Sequence, residues 1–123
     1  MKKKNDSIWT SISHAISGIK LSLKAEKNMF VHFFIMLVVI IFGMVFELNT
    51  NEWIICIFLF GLVFALELVN TAIENTVDIC SPEFSNKAKI AKDTAAGAVL
   101  VVCIIAVIIG LIIFMPKIFY FFR

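Results

Sequence analysis

Four side chains able to handle protons or hard cations recur within one stretch of this chain: Glu67, Asn70, Glu74 and Asp78. At about 100° per residue, Glu74 lies roughly 20° from Glu67 and Asp78 roughly 20° on the other side, with Asn70 about 60° away. One face of one helix therefore carries two glutamates, an aspartate and an amide. They follow the run from Trp53 to Leu66, which contains no charged side chain. An ionisable residue within such a segment is costly to hold in lipid and is a functional candidate by default. Counting about 1.5 Å per residue from Trp53, Glu67 lies roughly 21 Å along the helix and Glu74 roughly 31 Å, against a hydrocarbon layer of about 30 Å. The deeper carboxylate is poorly solvated, which suits a general base or a proton carrier. The shallower one, with Glu26 and Asp78 at similar depth, can gather a divalent cation through oxygen ligands, as Mg²⁺ does with one or two carboxylates plus phosphates.

The elements that must position these groups follow from composition. Of 123 residues, 61% are hydrophobic and only 16% charged, where a soluble domain carries about 25% charge. With a mean hydropathy of +0.99, the class is an all-α integral membrane protein of one domain, residues 1–123. The net charge of +2 is too small to suggest nucleic-acid binding. Three spans are expected, at about 29–48, 53–73 and 95–115, the last closed by Pro116-Lys117. A surface helix over about 7–27 precedes them, with Ile8, Ile12, Ile16, Ile19 and Leu23 at helical spacing and Glu26 at its end. His32 reads as an interfacial residue rather than a ligand. Met1-Lys-Lys-Lys resembles the basic start of a signal peptide, but no compact apolar stretch follows it, so it reads as mature sequence. Cys56, Cys80 and Cys103 form no paired spacing and imply neither a disulfide framework nor a zinc site.

Lysine placement orients the spans. Lys2, Lys3, Lys4, Lys20, Lys24 and Lys27 precede the first span, and Lys87, Lys89 and Lys92 lie between the second and third. The turn from Glu47 to Glu52 has no basic residue. The N-terminus and the 78–94 loop are thereby expected in the cytoplasm, and the short acidic turn and the C-terminus outside. Within that loop, Ser81-Pro82-Glu83 resembles a helix start, and Ser85 is placed to cap the helix that leads through Lys92. Lys92-Asp93 at the inner face suits a transferring phosphoryl group, which needs charge neutralisation and positioning. Gly61, Gly97 and Gly110 are isolated, so no glycine-rich phosphate loop is present. A proton- or cation-conducting oligomer would also use a buried glutamate beside an amide, and a structural membrane subunit would need no acidic stripe.

Two segments carry a family resemblance. Glu67-Leu-Val-Asn-Thr-Ala-Ile-Glu-Asn-Thr-Val-Asp78 and Ala88-Lys-Ile-Ala-Lys-Asp-Thr-Ala-Ala-Gly-Ala-Val99 resemble the signatures of prokaryotic diacylglycerol kinases and undecaprenol kinases, and Gly18 and Glu26-Lys-Asn28 agree. The resemblance implies a homotrimeric membrane enzyme that moves the γ-phosphate of MgATP to a lipid hydroxyl, with sites formed between subunits. It implies Glu67 as catalytic base at the lipid acceptor, beside Ala96, with Glu26 and Glu74 holding the metal and Asn70 ordering that site. Lys92 and Asp93 would contact the nucleotide, along with Glu83, Phe84 and Ser85. Relatives often have an arginine where this chain has Phe30, and an arginine near the start where it reads Ser7 to His14; His14 is the residue available there for a nucleotide contact. Asn28, His32 and Ala95-Ala-Gly-Ala98 are similar to the Gram-positive branch, whose lipid is often undecaprenol, which favours that acceptor over diacylglycerol.

Overall fold

The computed structural model describes residues 7–123, which form four helices: α1 (Ile8–Ala25), α2 (Lys27–Val45), α3 (Thr50–Cys80) and α4 (Asn86–Phe121). The lysines at positions 2–4 lie outside the described residues. Among the described residues there is no strand, and α2, α3 and α4 are each long and apolar enough to cross a membrane. Taking about 1.5 Å per residue, α2 is roughly 28 Å long, enough for one crossing, while α3 at roughly 46 Å and α4 at roughly 54 Å exceed it.

Ser7 starts α1 by accepting a hydrogen bond from the Thr10 amide at 3.3 Å. No residue of α1 is buried, and Ile8, Ile12, Ile16 and Ile19 are exposed along it, as an amphipathic surface helix requires when its apolar face meets lipid. Glu26 alone separates α1 from α2, and its extended backbone (φ −105°, ψ 114°) turns the chain from one helix into the next. Just inside α2, Met29 is 1% exposed.

The 78–94 segment is mostly helical. Only residues 81–85 interrupt it: α3 runs on to Cys80 and α4 begins at Asn86. Ser81-Pro82-Glu83 is therefore the turn rather than a helix start, with the Ser81 hydroxyl donating to the Glu83 carbonyl at 3.1 Å. Ser85 does cap the following helix, accepting from the Ala88 amide. At the other end, Pro116 does not close the third span; α4 passes through it to Phe121. A proline inside a helix deletes one backbone bond, yet membrane helices tolerate this where neighbours hold the segment. Here Lys117 pairs with Glu52 of α3 at 3.1 Å, and Phe121 packs edge-on against Phe46, the residue that ends α2, at 5.7 Å.

Helices α3 and α4 run antiparallel and share the largest interface, while α2 packs against α3 and, among the described residues, makes no close backbone approach to α4. A buried cluster of Leu48, Cys56 and Ile113, with Trp53, Phe60 and Phe114 against it, ties the three spans together beside the α2–α3 turn. That turn is built in detail. The Leu48 amide bonds the Gly43 carbonyl at 3.0 Å and the Glu47 amide reaches Met44 at 3.4 Å, the paired bonds of a Schellman ending. Glu47 occupies its left-handed position (φ 53°), where glycine is usual. Asn49 and Glu52 then cap α3 reciprocally, at 2.9 and 3.0 Å. Gly43 is needed for space: a Cβ there would sit 2.6 Å from the Trp53 ring and 3.0 Å from Leu48. Gly43→Val is expected to destabilise the protein by about 1–3 kcal/mol, and Glu47→Gly to stabilise it by up to about 1 kcal/mol. Thermal unfolding in detergent checks both, since the two melting shifts should have opposite signs.

Candidate active site

The acidic stripe begins in the interior. Glu67 is 3% exposed, and Asn70 and Thr71 are buried one turn further along α3. A carboxylate so placed must be hydrogen-bonded or lose its charge. Its partner comes from α2: His32 Nε2 stands 3.0 Å from Glu67 Oε1. The half-buried histidine expected at the interface is thus the group that holds the deepest acid. Asn28, one turn before His32, lines the same cavity of about 220 Å³ with Glu67, Asn70, Ala96 and Cys103. Glu67, Asn70 and Ala96, singled out from the sequence, therefore share one small chamber.

Further along the stripe, Asn70 Nδ2 donates to Glu74 Oε1 at 3.4 Å. The other end of the amide is unsatisfied: Asn70 Oδ1 and Thr71 Oγ1 are buried without a hydrogen-bond partner. An orphaned buried oxygen is unusual in a native fold and asks for an explanation. A hard oxygen beside a half-buried carboxylate fits a hard cation such as Mg²⁺. Among the described residues, however, no three His, Cys, Asp or Glu side chains converge as a metal site. Glu26, half-buried at the α1–α2 joint, and His14, exposed on α1, line neither this cavity nor the next one.

A second cleft of about 340 Å³ lies where α3 and α4 leave the apolar zone, and it collects Asp78, Glu83, Phe84, Ser85, Lys92 and Asp93. The short turn causes this convergence, because it folds the first turns of α4 back beside the last turns of α3. Lys92 is ion-paired with Asp78 across the two helices, and Lys89 with Asp93 along α4. The side chains here are largely exposed, Phe84 at 85%, so these pairs contribute little to stability and are free to exchange partners. Together the two clefts join a buried acid to a solvated, mixed-charge pocket through the face carrying Asn70 and Glu74.

A buried glutamate below a lysine-bearing surface cleft, on three membrane-crossing helices, suits transfer between a lipid and a charged, water-borne group. Comparison with known proteins agrees. The prokaryotic diacylglycerol kinase family matches residues 13–114. The chain belongs to that family and is a membrane-embedded lipid kinase. It is 46% identical over 109 residues to the undecaprenol kinase of Bacillus subtilis, covering 89% of each chain. It is 34% identical over 110 residues to the diacylglycerol kinase of Synechocystis sp., covering 89% of this chain and 63% of that protein.

The sequence reads His32 as an interfacial residue, and no local pattern marks it as the partner of Glu67. Its place one turn after Asn28, on the span that packs against the acidic helix, is the signal that would have found it. Replacing it leaves Glu67 buried without its hydrogen bond, a loss of about 1.5–3 kcal/mol for a bond to a charged group. His32→Leu is expected to lower kcat for phosphate transfer by roughly 10- to 100-fold, with elution from size exclusion unchanged; His32→Gln should recover part of the rate. Equal rates for wild type and His32→Leu would show that the contact is incidental.

Proposed function

We propose that this single membrane kinase domain transfers the γ-phosphate of ATP to the hydroxyl of a lipid alcohol, with undecaprenol preferred over diacylglycerol. The observation that carries this reading is Glu67, 3% exposed and hydrogen-bonded by His32, in the same chamber as Asn70 and Ala96. The identity to the B. subtilis undecaprenol kinase over 89% of both chains supports the choice of acceptor. Basic residues on the α1 side and beside the 81–85 turn support a cytoplasmic nucleotide site in a bacterial inner membrane.

In this mechanism the lipid hydroxyl reaches Glu67, which accepts its proton as the lipid oxygen bonds to the γ-phosphorus. The bond from the γ-phosphorus to the β–γ bridging oxygen breaks, and ADP departs. His32 holds the Glu67 carboxylate toward the acceptor. Lys92 exchanges Asp78 for a phosphate oxygen and offsets charge on the transferring group. Asp93, with Glu83, Phe84 and Ser85, lines the nucleotide cleft. Mg²⁺ would be held by Glu74 and Glu26 with Asn70 Oδ1 nearby, and it supplies neutralisation of the phosphate charge. The family resemblance is what supports a homotrimer in this reading, in which an adjacent copy would complete the site with Glu26 and His14, residues that lie outside both clefts of a single chain.

The test is transfer from labelled ATP in detergent micelles, offering undecaprenol and diacylglycerol separately. Undecaprenol should be labelled faster, and chelation of Mg²⁺ should abolish labelling of both. Glu67→Gln is expected to cost roughly 10²–10⁴ in kcat, the range for loss of a general base, with the oligomer intact. A near-wild-type rate for Glu67→Gln would remove it as the base. Faster labelling of diacylglycerol would reverse the acceptor preference.

A further inference from the structure

The cleft beside the 81–85 turn, assigned to the nucleotide, carries no surplus of positive charge. Asp78, Glu83 and Asp93 line it together with Lys89 and Lys92, three acids against two lysines. Both lysines are already engaged, Lys89 with Asp93 and Lys92 with Asp78. The two pairs differ in kind. Lys89 and Asp93 are four residues apart on α4 and would be neighbours on any helix of this sequence. Lys92 and Asp78 meet only through the fold, because the short turn returns the second turn of α4 to the last turn of α3.

An ion pair in this position has a specific chemical use. A carboxylate and a phosphate oxygen compete for the same lysine, whose ammonium group binds either one as a compact point charge. Asp78 therefore stands where an anionic ligand of Lys92 would stand. Its side chain is 62% exposed and that of Lys92 37%, so water reaches both partners and the pair opens at little cost. Among the described residues neither group has a second ion-pair partner. Asp78 lies one turn beyond Glu74, on the solvated side of the stripe. Its pairing with Lys92 leaves intact the hydrogen bond between Asn70 and Glu74.

We propose that Asp78 is a positioning residue that competes with phosphate for Lys92: it yields the lysine when ATP enters and takes it back after transfer, which hastens the departure of ADP. The assignment rests on the kinase reading above for the role of Lys92. It follows from the pairing across two helices, from the place of both partners on the wall of one cleft, and from the exposure that keeps the pair exchangeable. No covalent step is added. The lysine keeps its charge throughout, and only the anion beside it changes. When Asp78 returns to Lys92, the product loses a cation just as it has one phosphate fewer with which to hold on. The consequence is a nucleotide site that binds less tightly than its lysines allow and empties faster.

The experiment follows release of the fluorescent nucleotide methylanthraniloyl-ADP, chased with excess ADP, from the full chain in micelles with Mg²⁺. Wild type, Asp78→Asn, Lys92→Met and the double variant form a cycle that isolates the coupling between the two side chains. Asp78→Asn should slow release by about two- to fivefold, the factor that an exposed ion pair is worth. Lys92→Met should speed release, and the double variant should match Lys92→Met alone. Asp78→Glu, which keeps the charge, should release ADP at close to the wild-type rate. In the transfer assay, ADP should inhibit Asp78→Asn more strongly than wild type by the same factor. Release from Asp78→Asn at or above the wild-type rate overturns the proposal, and is the result expected if Asp78 instead held the metal. So does an equal slowing in the Lys92→Met background, which would make Asp78 a general negative charge rather than a competitor for that lysine. The cycle reads the exchange without transfer. Coupled release in a protein that phosphorylates no alcohol keeps the exchange and overturns the kinase reading; a wild type that binds no nucleotide overturns both.

Discussion

Everything at the centre of this bundle is arranged around one carboxylate that cannot be left alone. Glu67 lies in a helix otherwise built for lipid, where an unpaired charge is far more costly than in water. Its hydrogen bond to His32 therefore constrains more than two side chains. It sets the rotation of α2 about its axis, which carries Asn28 to the same chamber and leaves Phe33 and Phe34 outward. It also draws α2 against α3 near the basic end, while the Leu48–Cys56–Ile113 cluster draws the same helices together at the other. A helix tied at two heights can neither slide nor roll freely, so the chamber keeps its shape although few residues of the chain are buried.

The extra length of α3 and α4 serves a purpose beyond crossing the membrane. Both α3 and α4 run past the length that one crossing needs, and their excess turns at the basic end carry Glu74, Asp78, Lys89 and Lys92. The 81–85 turn between them is too short to wander, so these charges face one another across an antiparallel pair and form a cleft on rigid elements. Buried acid, orphaned amide oxygen and solvated ion pairs then follow in order along one face of α3. Polarity rises smoothly from lipid to water along that line, as a path joining an apolar substrate to a charged one must arrange.

Much of this was legible in the residues, for physical reasons that can be named. The acidic stripe stands out because a membrane segment admits so few charges, and helical periodicity alone places Glu67, Asn70, Glu74 and Asp78 on one face. Glu26 was legible as a helix end, and Ser85 as a cap. What escaped depended on distance or on neighbours. His32 meets Glu67 from 35 positions away, a meeting set by the packing of α2 on α3 and not by any local pattern. Pro116 looked like a terminator because local rules say so; the Lys117–Glu52 pair and the Phe121–Phe46 contact, both long-range, keep the helix going. Ser81-Pro82 satisfied the rule for a helix start, yet the helix waited for Ser85.

The separation of the Glu67 chamber from the cleft beside Lys92 has a consequence of its own. On the proposed function, the lipid acceptor would reach the buried acid by diffusing in the plane of the bilayer, while ATP would reach the cleft beside Lys92 in three dimensions. The two kinds of visitor never queue for the same doorway. Crowding on the sideways route is a matter of mole fraction among surrounding lipids, so inert lipid would dilute that visitor even with the amount in the tube unchanged. A protein of 123 residues thereby works as a seam between two phases, each with its own measure of concentration.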